Sequence, residues 1–216
     1  MALFCYNLLM QTILTIFGVI IFFGLAEFIL RQLHFQAEFI RKIGHFGVCV
    51  VVLFLPYVFS PRIIILLSLA FLGLLVLSRY FEFLPGLGKH KVDRKTFGEF
   101  YLPISVAISA YLFLPVHLEA FQFGIMILGF SDTAAEVIGL LIGRHKIKYL
   151  GEKTWQGTTA FFLVTLLIFI FFVKGELWQG LVISIFLTAT EAALRFGLDN
   201  LVLPILAGFL ITLLIH

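Results

Sequence analysis

Residues Glu119–Ile142 read EAFQFGIMILGFSDTAAEVIGLLI. A helix that crosses a bilayer needs about 20 mostly apolar residues, with about 17–25 as the working range. This stretch qualifies, yet Asp132 and Glu136 sit inside it. A carboxylate within a membrane helix costs roughly 2.5–3.5 kcal/mol on insertion scales, so it is rare without a partner or a job. Glu191 repeats the pattern inside the run Leu177–Leu194, and Asp199 and Asn200 open the last apolar run. The expected fold is therefore an all-α polytopic membrane bundle, with its chemistry where these acids meet.

The remainder of the chain agrees. Of 216 residues, 62% are hydrophobic and 12% are charged, against about 45–50% and about 25% in soluble domains. No Gly/Ser linker, low-complexity tract or internal repeat divides the chain, so a single transmembrane catalytic domain over residues 1–216 is expected. Cys5 and Cys49 lie far apart and outside any CxxC spacing, which points to free thiols rather than a zinc or disulfide framework. No Lys or Arg precedes the first apolar run, so that run reads as a retained helix rather than a signal peptide.

Eight spans follow from the length rule: Thr12–Leu30, Ile43–Phe59, Ile63–Tyr80, Phe100–Val116, Ala120–Ile142, Thr158–Val173, Leu177–Leu194 and Leu198–Ile215. With the N-terminus outside, thirteen of the fifteen basic residues fall on the internal side, leaving only Arg62 and Lys174 outside. The positive-inside rule favours that arrangement. Two internal loops, 81–99 and 143–157, are long enough to carry chemistry. The localisation implied is a multi-pass protein of a prokaryotic cytoplasmic membrane, with the active site facing the cytosol.

Several constellations fall on that internal side. Asp132 and Glu136, four residues apart, share a helix face, and Gly139, Gly143, Arg144 and Lys146 continue it toward the loop. Two such carboxylates suit Mg²⁺, a hard cation that takes oxygen ligands; a buried ion pair that merely fixes packing is the plainer alternative. Ser184, Thr188, Glu191 and Arg195 form one polar stripe, in which a local Glu191–Arg195 pair would suffice. Asp199 and Asn200 stand where helix caps are favoured. Arg41, Lys42 and His45 open the second span, where positive charge is expected in any case. The segments Arg94-Lys95-Thr96-Phe97-Gly98 and Gly151-Glu152-Lys153-Thr154-Trp155-Gln156-Gly157 each offer a Lys-Thr pair and a Gly. Lysine supplies charge and backbone N–H groups supply a cradle for phosphate, although neither segment is a P-loop. Acids, cations and lipid then share one layer, which suits phosphoryl transfer from a soluble donor to a membrane-soluble acceptor.

With these residues in view, the chain resembles the CTP-dependent polyprenol and lipid-alcohol kinases: dolichol kinase, phytol and farnesol kinases, and the fungal-type CTP-dependent diacylglycerol kinase. The resemblance rests on Arg41-Lys42-x-x-His45; on Lys95 through Gly98 to Pro103; on SDTAAEVIGLLIGR (131–144) followed by Lys153-Thr154-x-x-Gly157-Thr158; and on Glu191 with Asp199-Asn200 and Pro204. It spans about residues 41–204. Ser131 and Gln156 depart from the family pattern, where Gly and Glu are usual.

The resemblance implies transfer of the γ-phosphoryl group of CTP (UTP or ATP being other donors) to a lipid hydroxyl, with Mg²⁺ as cofactor. It implies Asp132 and His45 as catalytic residues. Lys95, Thr96, Arg144, Lys146, Lys153, Thr154, Gly157, Arg41 and Lys42 would bind nucleotide phosphates. Asp132, Glu136, Glu191, Asp199 and Asn200 would serve the metal. His45 and Asp132 are both candidates to accept the hydroxyl proton. The partners are a nucleotide, a lipid alcohol and membrane lipids, with no nucleic acid; the alcohol and the oligomeric state stay open. A CTP:phosphatidate cytidylyltransferase would share membrane, CTP and Mg²⁺, but its C-terminal signature of paired Asp and Lys-Asp is missing from Leu198–His216. An ion-coupled transporter also uses intramembrane acids, but typically with internal repeats and midplane sites.

Overall fold

Apolar runs of this length become helices because a helix satisfies its own backbone groups, which matters most where no water can. The computed structural model describes residues 37–81, 97–148 and 153–215. Among these, seven helices follow one another: α1 (Ala37–Phe54), α2 (Pro61–Phe81), α3 (Gly98–Phe113), α4 (Leu118–Ile142), α5 (Trp155–Val173), α6 (Leu177–Ala193) and α7 (Asp199–Leu214). Four segments are long and apolar enough to cross a membrane: Phe39–Tyr57, Pro61–Tyr80, Leu118–Ile142 and Trp155–Val173. The helices α3, α6 and α7 are shorter but also apolar. Seven of the eight expected spans thus coincide with helices, displaced by a few residues at their ends. The first, Thr12–Leu30, lies outside the described residues.

The centre of the bundle is α4, with α1, α3, α5 and α7 packed around it; α2 leans on α3, and α6 bridges α5 and α7. Phe121, Phe123, Ile125, Ile127 and Leu128 of α4 are fully buried in one core with Phe161 and Phe169 of α5, Ile183 and Leu187 of α6, and Leu203 and Ile211 of α7. The outer faces are apolar as well. Leu66, Val76 and Leu77 of α2, Phe171 of α5, Ile185 of α6 and Leu213 of α7 are all exposed. Such surfaces are compatible with a lipid environment and unfavourable in water.

Two irregularities position the site. A π turn, Ile127–Ser131, interrupts α4 just before Asp132. Turns of this kind insert a residue and so rotate the remainder of the helix. Here Gly129 lets α1 come close: a Cβ on it would lie 2.7 Å from the Cβ of Cys49, which is buried and free. The second is Pro204 inside α7. It has no N–H to give Asn200 four residues back, so the start of α7 is held by other contacts.

Candidate functional site

The site begins with α1 facing α4. Lys42 is almost fully buried, and its ammonium donates to Asp132 Oδ2 and lies 3.0 Å from Glu136 Oε2. Arg41 Nη2 donates to Glu136 Oε1 at 2.7 Å. Two cations from one helix thus meet two carboxylates that the four-residue spacing places on one face of another. A buried charge survives only when it is paired and hydrogen-bonded, so each pair holds the other in place.

The α6–α7 turn supplies the second pair of acids. Phe196 and Gly197 both adopt left-handed backbone conformations, with φ of 58° and 83°; glycine carries no penalty there. This turn sits on the start of α3. Phe97 N donates to Phe196 O at 3.3 Å, and Asn200 Nδ2 donates to Gly98 O at 2.9 Å. The turn is therefore fixed, and Glu191 from the end of α6 and Asp199 from the start of α7 face the same space as Asp132. Carboxylate oxygens of Asp132, Glu191 and Asp199 all lie within 4.8 Å of one another.

Lys153 enters from the loop before α5. Residues 146 and 154 form an isolated antiparallel bridge, and Ile147 N donates to Lys153 O at 2.8 Å. Thr154 caps α5 by accepting from Gly157 N at 3.2 Å. Gly157 allows α5 to touch α4, since a Cβ there would lie 2.6 Å from Ala135 O. Held this way, Lys153 bonds Glu191 and lies 3.6 Å from Asp199 Oδ2. Burial alone would lower its pKa, but the Glu191 and Asp199 carboxylates outweigh that and hold it above the ordinary 10.5. It is a fixed cation at neutral pH.

The arrangement has four carboxylates (Asp132, Glu136, Glu191, Asp199) against three cations (Arg41, Lys42, Lys153). It also has open polar atoms. Glu191 Oε2, His45 Nε2 and Arg41 Nε are buried with no hydrogen-bond partner among the described residues. Buried polar atoms are normally satisfied, so a cluster of exceptions beside an excess of carboxylate marks a place for a cationic group or a ligand. Three hard oxygen donors so close together match the preferences of Mg²⁺. His45, one turn along α1 from Arg41 and Lys42, is within electrostatic range of Asp132.

Several sequence expectations resolve differently. The partner of Glu191 is Lys153, across 38 residues, rather than Arg195 one turn away, because α6 ends at Ala193 and Arg195 lies beyond it. Asp199 is the first residue of α7 and not its cap; its Oδ1 accepts from Asn200 N at 3.0 Å. The Asn200 amide is spent on Gly98. Glu136 is engaged by Arg41 and Lys42, one step from the three-carboxylate group. Thr154 and Gly157 serve the cap and the α4–α5 contact, and Arg144 and Lys146 are exposed. Lys95 and Thr96 lie outside the described residues. Sequence reasoning missed the buried hydroxyls nearby: Thr165 Oγ1 donates to Ser131 Oγ at 2.9 Å, and Thr133 and Thr158 Oγ1 have no partner among the described residues. Single hydroxyls in apolar helices give no signal, since they are common there.

The chain is 28% identical over 192 residues to the phytol kinase of Synechocystis sp., covering 83% of this chain and 81% of that protein. It is 36% identical over 124 residues to an uncharacterized protein of Methanocaldococcus jannaschii, covering 57% of this chain and 61% of that protein. No family model and no solved structure matches.

Proposed function

We propose that this protein is a membrane-embedded lipid-alcohol kinase that moves the γ-phosphoryl group of CTP to the hydroxyl of an isoprenoid or similar lipid alcohol. The observation that carries the proposal is the convergence of Asp132, Glu191 and Asp199, with Glu191 Oε2 unpartnered among the described residues and Lys42 and Lys153 on either side. The similarity to a phytol kinase over most of both chains supports the same chemistry. On this reading the chain is one catalytic domain with eight spans and an external N-terminus in a prokaryotic cytoplasmic membrane, as the one-sided distribution of its basic residues suggests.

In the transfer, the lipid hydroxyl loses its proton as its oxygen bonds the γ-phosphorus. The bond from that phosphorus to the bridging oxygen breaks, and CDP leaves. The protein's task is positioning and charge neutralisation. Asp132, Glu191 and Asp199 would hold Mg²⁺, with Glu136 and Asn200 supporting from the rim, and the ion would neutralise triphosphate charge. Lys153, a cation at the loop surface, is placed to meet phosphate oxygens as a point charge. Arg41, Lys42, Arg144, Lys146, Lys95, Thr96, Thr154 and Gly157 complete the proposed nucleotide side. Among the proton acceptors, Asp132 Oδ2 is occupied by Lys42, whereas His45 Nε2 is open. His45 is therefore our choice for the base.

The test uses the full chain in liposomes with Mg²⁺ and CTP labelled at the γ or the α phosphate, offered farnesol, phytol, polyprenols, diacylglycerol or phosphatidate. γ-Label should appear in an alcohol and vanish in Asp132→Asn. α-Label in phosphatidate would make the protein a cytidylyltransferase, and no transfer of either label would turn attention to transport. Replacing CTP by UTP or ATP identifies the donor.

A further inference from the structure

The acceptor must bring a hydroxyl to the carboxylates while its hydrocarbon stays out of water. One apolar cavity of about 370 Å³ lies on the outer face of the bundle, between α3 and α7. Its lining is Ile108 of α3 with Leu201, Val202, Ile205, Leu206 and Phe209 of α7. It is closed at both ends. At one end Asn200 bonds Gly98; at the other the rings of Phe113 and Phe209 meet edge-to-face at 5.3 Å, and Gly208 lies against Phe113. The helices run the same way, since their starts touch and their far ends touch.

The helical register ties this groove to the reactive cluster. Val202 and Leu206 stand three and seven residues after Asp199, so they share its face of α7. A chain lying along the groove is collinear with the Asp199 carboxylate. From Leu201 to Phe209 the groove extends about 12 Å by helix rise. That length and volume accommodate the first part of a long aliphatic chain and leave the rest in the bilayer. Phe209 and Ile108 are both partly exposed, at 44% and 37%, so the groove opens laterally. An acceptor can enter sideways from lipid without passing through water.

We propose that this α3–α7 groove is the acceptor subsite. It takes the head-proximal hydrocarbon of the lipid alcohol and sets the hydroxyl beside Asp199, which lies 3.6 Å from Lys153. The assignment rests on the kinase reading for the nature of the acceptor. Its physical basis is the continuity of the apolar face with the carboxylate cluster. Because the closed far end limits what enters, the groove selects unbranched or methyl-branched chains over bulky diacyl groups at that position.

A photoreactive long-chain alcohol with a diazirine a few carbons from its hydroxyl, irradiated with the full chain in liposomes, tests this without turnover. Label is expected at Ile108 and within residues 201–209, displaced by excess phytol or polyprenol but not by phosphatidylcholine. Label on the outer faces of α2 or α5, label in residues 1–36, or equal displacement by the phospholipid would overturn the proposal. Kinetics give a second reading. In Ile205→Trp and Ile108→Trp, the preference in kcat/KM for long-chain over short-chain alcohols should fall at least about fivefold, mostly through KM, as expected when a hydrophobic pocket is filled. Leu163→Trp, on the exposed face of α5, should keep the native preference, and thermal unfolding should show all three folded. An unchanged preference in both groove variants would sink the subsite. Failure of the native chain to phosphorylate any alcohol would instead sink the kinase reading, and the crosslink would still report on the groove.

Discussion

Polar residues gather at both ends of this bundle, but to different effect. At one end, Gln179 of α6 donates to Leu214 O at 2.7 Å and accepts from Glu176 N at 2.8 Å, while Gln122 of α4 donates to Tyr57 Oη at 3.0 Å. These groups are neutral and find partners in neighbouring helices. At the other end, about 18 Å away along α6 by helix rise, the groups are charged, three cations are shared among four acids, and several buried atoms have no partner among the described residues. Neutral satisfied contacts hold helices together; ionic, incompletely satisfied ones cost stability and persist where something else binds. The same chain thus separates scaffold from site by the kind of polar group each end carries.

The sharpest test of that contrast is Asp132→Asn, nearly isosteric but uncharged. Phosphoryl transfer should fall by about 10²–10³-fold, typical of losing one essential electrostatic contact. Retained activity would move Asp132 into the scaffold. Next is Lys42→Met, which leaves buried carboxylates without their cation. Breaking a buried pair costs about 3–5 kcal/mol, and the double variant with Asp132→Asn should recover much of the loss in thermal unfolding while staying inactive. A single-variant cost under about 1 kcal/mol would mean that the pair is solvated rather than buried.

The smaller effects come from the scaffold. Thr154→Ala removes the α5 cap and should cost about 1 kcal/mol, with Thr154→Ser restoring it. A raised KM for CTP at unchanged stability would instead make Thr154 a phosphate ligand. Gln179→Ala should cost about 1 kcal/mol by leaving Leu214 O unpaired, with transfer activity unaltered. Loss of activity there would erase the distinction between the two ends.

How far the sequence reached differs between helices and contacts. Helix positions were legible because membrane length and hydropathy act locally, and the α4 pair Asp132/Glu136 was legible because a four-residue spacing fixes a face. The partner of Glu191 was not. Arg195 stood at the favoured spacing, but α6 stops short of it and the turn through Phe196 and Gly197 carries the chain away. Thr154 and Gly157 also suggested a phosphate cradle in isolation, whereas packing gives them a cap and a close helix contact.

By itself, the sequence determined that these helices form, that their surfaces are apolar, and that a few acids stand among hydrocarbon at positions where each demands a partner. Those features follow from residue type and local spacing alone. Only the tertiary structure decided which cation meets which acid: Lys42 with Asp132 across 90 residues and Lys153 with Glu191 across 38. The reason is geometric. A charge pair depends on how helices cross, and the crossing is set by the π turn before Asp132, the close approach at Gly129 and the left-handed turn at Gly197, none of which leaves a periodic trace in the sequence.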